Sequence, residues 1–183
     1  MVDWSELLTL PQLFGWGAFF FGMACFLQTS DLRFKQFMAL ECAAYVVHFL
    51  LLGQWTASAS TAVSLGRSVA AVRYPYPSVG WVFMGLSLLC GALLYTGWIS
   101  WLPITASVLG TYALFFLKGV RMRCVMLLGT SLWLVHNHGV GSIGGTALEA
   151  VLCITNAVTI YRMRANPILS PDQYEVSTSD DLK

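Results

Sequence analysis

Long apolar runs separated by short polar breaks fill the chain from Pro11 to Tyr161. Seven runs have helical length: 11–29, 36–54, 57–73, 78–97, 101–117, 123–138 and 142–161. A helix needs about 20 residues, within a range near 17–25, to cross the hydrocarbon core of a bilayer. The pattern therefore predicts an all-α membrane protein of about seven transmembrane helices. The third run, Thr56 to Val72, is rich in Ala, Ser and Thr. Small residues let backbones approach closely, so this helix is expected to bury itself among the others. The breaks are short, which makes 1–164 a single polytopic transmembrane domain. After Arg164 the sequence (ANPILSPDQYEVSTSDDLK) is polar, acidic and Pro-containing, and 165–183 is expected to be a disordered cytoplasmic tail.

Charge gives the runs a direction. The chain is 57% hydrophobic and only 10% charged, against about 25% charged in ordinary soluble domains. Arg33 and Lys35 follow the first run, Arg67 and Arg73 close the third, Lys118, Arg121 and Arg123 separate the fifth and sixth, and Arg162 and Arg164 follow the seventh. The alternate breaks, at Gln54–Trp55, Trp98–Trp101 and Gly139–Gly141, carry no charge. Lys and Arg stay on the cytoplasmic side, which puts the N-terminus outside and the C-terminus inside. Six spans would strand one basic cluster outside. Trp55, Trp98 and Trp101 then form an aromatic belt at the outer boundary. Asp3 and Glu6 stand where a secretory signal would be basic, so no cleavable signal is expected. The net charge of +1, without a basic patch interleaved with aromatics, gives no reason to expect a nucleic-acid partner. Cys25, Cys42, Cys90, Cys124 and Cys153 show no CxxC or Cys/His spacing, so neither metal nor cofactor is expected.

The candidate chemistry is the small set of polar groups inside the runs. A carboxylate at mid-bilayer costs about 2.5–3.5 kcal/mol on insertion scales, so an embedded one has a partner or a task. In the second run Glu41, Tyr45 and His48 share a stripe, at steps of about one and two turns. Arg67 lies at a depth comparable with Glu41. A Glu41–Arg67 structural ion pair is one reading; Arg67 snorkelling to the cytoplasmic face is the other. His48 is deeper, either a hydrogen-bonded core residue or a proton- or ligand-binding group. In the seventh run Glu149 and Asn156 share a face with Ser142 and Thr146 near by. Glu149 sits about 10 Å from the outer boundary at 1.5 Å per residue. The sixth run ends there with His136, Asn137 and His138, which predicts a substrate or proton site of Glu149, His136 and Asn137, with a proton or His136 as the partner of Glu149. The stretch GVGSIGG (139–145) suits a tight turn and close helix packing; no Lys follows it, which excludes a phosphate loop.

A weak internal repeat is also legible. The first and fourth runs are Gly-rich, with Gly15, Gly17 and Gly22 against Gly80, Gly85 and Gly91. HFLLLGQW (48–55) lines up with LFFLKGVR (114–121), and SLGR (64–67) with TSLW (130–133). This alignment predicts two inverted triple-helix units plus one helix, with a site at the repeat interface near mid-membrane. Apolar helices also align with one another by chance.

At LRFKQFMALECAAYVVHFLLLGQWTAS (32–58) and WLVHNHGVGSIGGTALEAV (133–151) the chain resembles the YgjV family of bacterial inner-membrane proteins, over Leu10 to Arg164. The resemblance implies a multi-pass protein of the bacterial inner membrane. More remotely, three-helix units and Pro11-Gln12 near the first helix resemble the PQ-loop and SWEET sugar carriers and the nicotinamide riboside carriers. Those have three, one and three helices, whereas the alignment above gives three, three and one, so no binding residue is carried over. The expected function is a small-solute carrier in the lipid bilayer, with Glu149, His136, Asn137, His48 and Asn156 as its site. The alternative is a non-transporting membrane partner or assembly protein. No nucleophile-plus-base signature supports an enzyme.

Overall fold

The computed structural model describes residues 9–26, 31–74 and 76–165. Among these are seven α-helices and no strand: α1 Leu10–Phe26, α2 Asp31–Leu51, α3 Trp55–Arg73, α4 Pro77–Leu93, α5 Trp101–Phe116, α6 Gly119–Gly139 and α7 Ile143–Ala165. A single 3-10 turn, Trp98–Ser100, leads into α5. The expected tail lies outside the described residues except for Ala165, which ends α7; Asp3, Glu6 and the last residues of the first expected run lie outside them too.

Helix existence follows the apolar runs; helix length does not. Where runs of 36–54, 123–138 and 142–161 were expected, α2 starts at Asp31, α6 at Gly119, and α7 continues to Ala165. The helical backbone satisfies its own hydrogen bonds whatever the side chains, so these helices continue through the basic clusters. α4 instead stops at Leu93, short of residue 97, and Gly97 takes a φ of +147° before the 3-10 turn. Two helical stretches, Trp98–Phe116 and Ile143–Ala165, are long and apolar enough to cross a bilayer. α1 and α4 are as apolar but stop at 17 residues, and the Ala/Ser/Thr-rich α3 carries small and polar residues where helices face each other.

Six helices close a ring in the order α1, α2, α3, α5, α6, α7, with α7 back against α1, and α4 packs outside on α3 and α5. The interior holds His48, Ser107, Thr111, Asn137 and Glu149, while Trp81, Leu93, Ile154 and Tyr161 are 65–74% exposed. Polar groups inside and large apolar ones outside are the reverse of a water-soluble core.

The ring has an internal two-fold, and it differs from the expected repeat. Pro11, His48, Gly53 and Gln54 correspond to Ile99, His136, Gly141 and Ser142, a constant offset of 88 residues, from 48 to 136. The Pro11 carbonyl accepts from His48 Nδ1, and the Ile99 carbonyl from His136 Nδ1. Each of α2 and α6 ends with a left-handed glycine, Gly53 at φ +70° and Gly141 at φ +72°. The next amide reaches back in the same way in both turns, Gln54 N–H to Phe49 O and Ser142 N–H to Asn137 O, both at 2.8 Å. This is a glycine-terminated helix end, which only a residue free to adopt positive φ forms cheaply. The equivalent units are therefore α1–α3 and α5–α7. They lie four helices apart, and successive helices joined by short turns reverse direction, so the units run parallel. The inverted alignment of the first three runs with the next three is corrected: it matched Gly-rich α1 to Gly-rich α4, whose glycines meet different neighbours. A Cβ on Gly15 would touch the His48 ring, and one on Gly80 would touch Phe115 and Phe116.

Candidate functional site

A cavity of about 140 Å³ lies inside the ring. Glu41, Cys42, Tyr45 and Phe49 of α2 line it, with Thr61, Ser64 and Arg67 of α3, Trp133 and Asn137 of α6, and Glu149 of α7. Three pairs of these positions are equivalent across the two-fold: Tyr45 with Trp133, Phe49 with Asn137, and Thr61 with Glu149. The cavity thus straddles the axis between the two halves. Phe49 is stacked between Tyr45 (5.4 Å) and Trp133 (5.6 Å), which ties α2 to α6 across the ring. Tyr45 Oη and both amide atoms of Asn137 are buried with no hydrogen-bond partner, a costly state unless something else occupies the space beside them. Glu149 and Asn137 are buried, whereas Glu41 and Arg67 are partly exposed, so exposure rises toward the end where α2 begins and α3 finishes.

That opposite, closed end is sealed by polar contacts between α1 and the α6–α7 turn. The Pro11 carbonyl can only accept, so His48 Nδ1 carries the proton in that 2.6 Å bond, and Nε2 of a neutral ring accepts from the Ser142 hydroxyl, also at 2.6 Å. Gln12 donates to Gly141 O at 2.5 Å and accepts from Ile143 N–H at 3.1 Å, capping an amide at the start of α7 from another helix. Gly144 permits the contact: a Cβ there would lie 2.5 Å from the Gly15 carbonyl.

A model of the Imp-YgjV family, described as a bacterial inner membrane protein, matches residues 9–166. The chain belongs to this family. Among Imp-YgjV relatives, "Inner membrane protein YgjV" of Escherichia coli (strain K12) is 35% identical over 153 residues, 84% of this chain and 84% of its own. The match agrees with the family resemblance in the sequence. No solved structure matches the chain.

For this Imp-YgjV member the expected site residues divide. Glu149, Asn137, Glu41 and Arg67 meet at the cavity. Glu41 and Arg67 share its wall without an ion pair; Arg67 Nη1 instead donates to Ser107 O (3.0 Å) and Thr111 Oγ1 (3.2 Å), and its Nε is unpartnered. His48 lies in the seal, with both ring nitrogens bonded. His136 does not join Glu149: its Nδ1 donates to Ile99 O at 3.3 Å, its Nε2 has no partner, and its ring packs edge-on against Trp133. Asn156 lies away from the cavity and accepts from Arg123 at 3.5 Å. The sequence reading missed Phe49, Trp133 and Gln12. The spacing signal existed: Phe49 is one turn beyond Tyr45, and Trp133 one turn before Asn137.

Proposed function

We propose that this protein is a small-solute carrier of the bacterial inner membrane, crossing it seven times with the N-terminus outside and the C-terminus inside. The observation that carries the reading is the cavity on the two-fold axis, walled by equivalent positions of the two halves and holding unpartnered Tyr45 and Asn137 atoms. Carriers built from repeats place their solute at the repeat interface, and parallel repeats are related by an axis along the membrane normal. Units of three helices on either side of one linking helix also restore the three, one and three order of the SWEET-type carriers; this is analogy at the level of fold. The orientation is supported by Arg73, Arg121, Arg123, Arg162 and Arg164, which fall at one end of the bundle, and by Trp55, Trp98 and Trp101 at the other. In that orientation the seal lies outside and the exposed flank of the cavity faces inward, as in a carrier resting open to the cytoplasm.

The test is solute counterflow into proteoliposomes with radiolabelled sugars, nucleosides, vitamins, amino acids and amines. Saturable uptake of one class by the unaltered protein, lowered tenfold or more by Glu149→Gln at equal reconstitution, is the expected result. No uptake of any compound, together with a protein that co-purifies at fixed stoichiometry, would transfer the function to membrane assembly.

A further inference from the structure

We infer that the cavity selects a small organic monocation, such as a short alkylammonium or guanidinium. This deepens the carrier reading, on which its physiological meaning rests.

Charge is the first argument. Glu41 and Glu149 face the cavity with one cation, Arg67, and no ion pair joins Arg67 to either carboxylate among the described residues. Arg67 is drawn aside by two acceptors on α5. A bound monocation is the ligand that lets both buried acids ionise beside one diverted guanidinium, whereas an anion would leave them needing protons. The aromatic wall is the second. Tyr45, Phe49 and Trp133 line one side as a stacked column, an apolar surface for the alkyl part of such a cation, opposite the polar groups that would take its charged end. The unpartnered atoms are the third and independent argument. Asn137 is 1% exposed, and its Oδ1 and Tyr45 Oη are unpartnered acceptors for the N–H groups of such a ligand, with Asn137 Nδ2 left to donate. Size sets the limit: about 140 Å³ is close to the roughly 150 Å³ engineered cavity that takes up benzene. That admits about five or six heavy atoms and excludes a nucleoside without rearrangement.

The experiment uses the purified full chain and three near-isosteric probes: isobutylammonium, isobutanol and isobutyrate. Isobutylammonium should raise Tm by roughly 5–10 °C at a hundredfold excess over its Kd. The other two should leave Tm unchanged, and calorimetry should show the cation's affinity falling tenfold or more in Glu149→Gln. Equal binding of isobutanol or isobutyrate by the unaltered protein would overturn the inference, and so would a Tm unmoved by all three probes. The comparison on the unaltered protein decides even if Glu149→Gln fails to fold. Cation binding without counterflow would overturn the carrier reading alone; saturable counterflow of an uncharged solute would overturn the cation inference alone.

Discussion

His48 and His136 occupy equivalent places in the two halves, each donating from Nδ1 to a backbone carbonyl at the entry to the preceding ring helix, yet only His48 has a partner for Nε2. The difference lies in the turn across the ring. Ser142 reaches His48, while its equivalent, Gln54, does not bond to His136 among the described contacts. One seam of the ring, α1 to α7, is therefore pinned by side chains at the sealed end, and its pseudo-equivalent, α5 to α3, is held there more weakly.

The asymmetry sets the relative cost of removing each imidazole. His48→Leu leaves the Ser142 hydroxyl without its acceptor in the interior. His136→Leu removes an orphaned nitrogen and one donor to the Ile99 carbonyl, which keeps the Trp101 N–H. At about 1–3 kcal/mol per unsatisfied buried group, His48→Leu should lower stability by about 1–3 kcal/mol more than His136→Leu. Thermal unfolding of both variants in the same detergent gives the difference; equal losses would show that the Ser142 bond contributes nothing.

Two glycines on the ring should respond oppositely to a methyl group. Gly144→Ala drives a Cβ to 2.5 Å from the Gly15 carbonyl, against backbone that has no rotamer to yield. It should cost about 1–3 kcal/mol by forcing α1 and α7 apart. At Gly17 a Cβ meets nothing within 4 Å. Gly17→Ala should be neutral or stabilise by up to about 1 kcal/mol through helix propensity. Denaturation midpoints of the two variants check both signs.

Asn137 should oppose stability to activity. Its amide atoms lack partners, so Asn137→Leu exchanges an unsatisfied group for an apolar one. The expected gain of about 1 kcal/mol corresponds to a Tm higher by roughly 2–4 °C for a chain of this size. Solute uptake should fall at least tenfold in the same variant. A destabilised protein with normal uptake would assign Asn137 to packing.

Orientation can be read by chemistry at two turns. In a variant whose native cysteines are replaced, Val140→Cys in the α6–α7 turn should react with a membrane-impermeant maleimide on intact spheroplasts. Leu117→Cys in the α5–α6 turn should react only after permeabilisation. The opposite pattern would invert the proposed topology.

How much of this was legible depended on what each signal had to compete with. Helices were readable because apolar runs of that length have no other use in this chain. Glu41 and Glu149 were readable because charge stands out against such runs. Phe49 and Trp133 were hidden for the converse reason: an aromatic residue in an apolar helix looks the same whether it faces lipid, a neighbouring helix or a cavity. The repeat was misread because side-chain likeness and backbone equivalence diverge. Gly-rich α1 and α4 look alike and differ in their contacts, whereas HFLLLG and HNHGVG share little beyond a histidine five residues before a glycine, and they form the same turn. His136 was expected beside Glu149, but its Nδ1 bonds the Ile99 carbonyl instead.

The helix outside the ring has its own consequence, one of parity. A three-helix unit starts on one side of its bundle and finishes on the other, so two copies joined directly in a single chain must face opposite ways. To place the second copy the same way up, the chain has to return once more, and an odd number of extra passes is required. α4 is the smallest solution. It lines no part of the cavity and carries none of the repeated contacts. Parity fixes only that a helix stands there; which helix is fixed by α5, against which Gly80 and Gly91 leave room for Phe115, Phe116 and Ile104 and Ser87 meets Ser107.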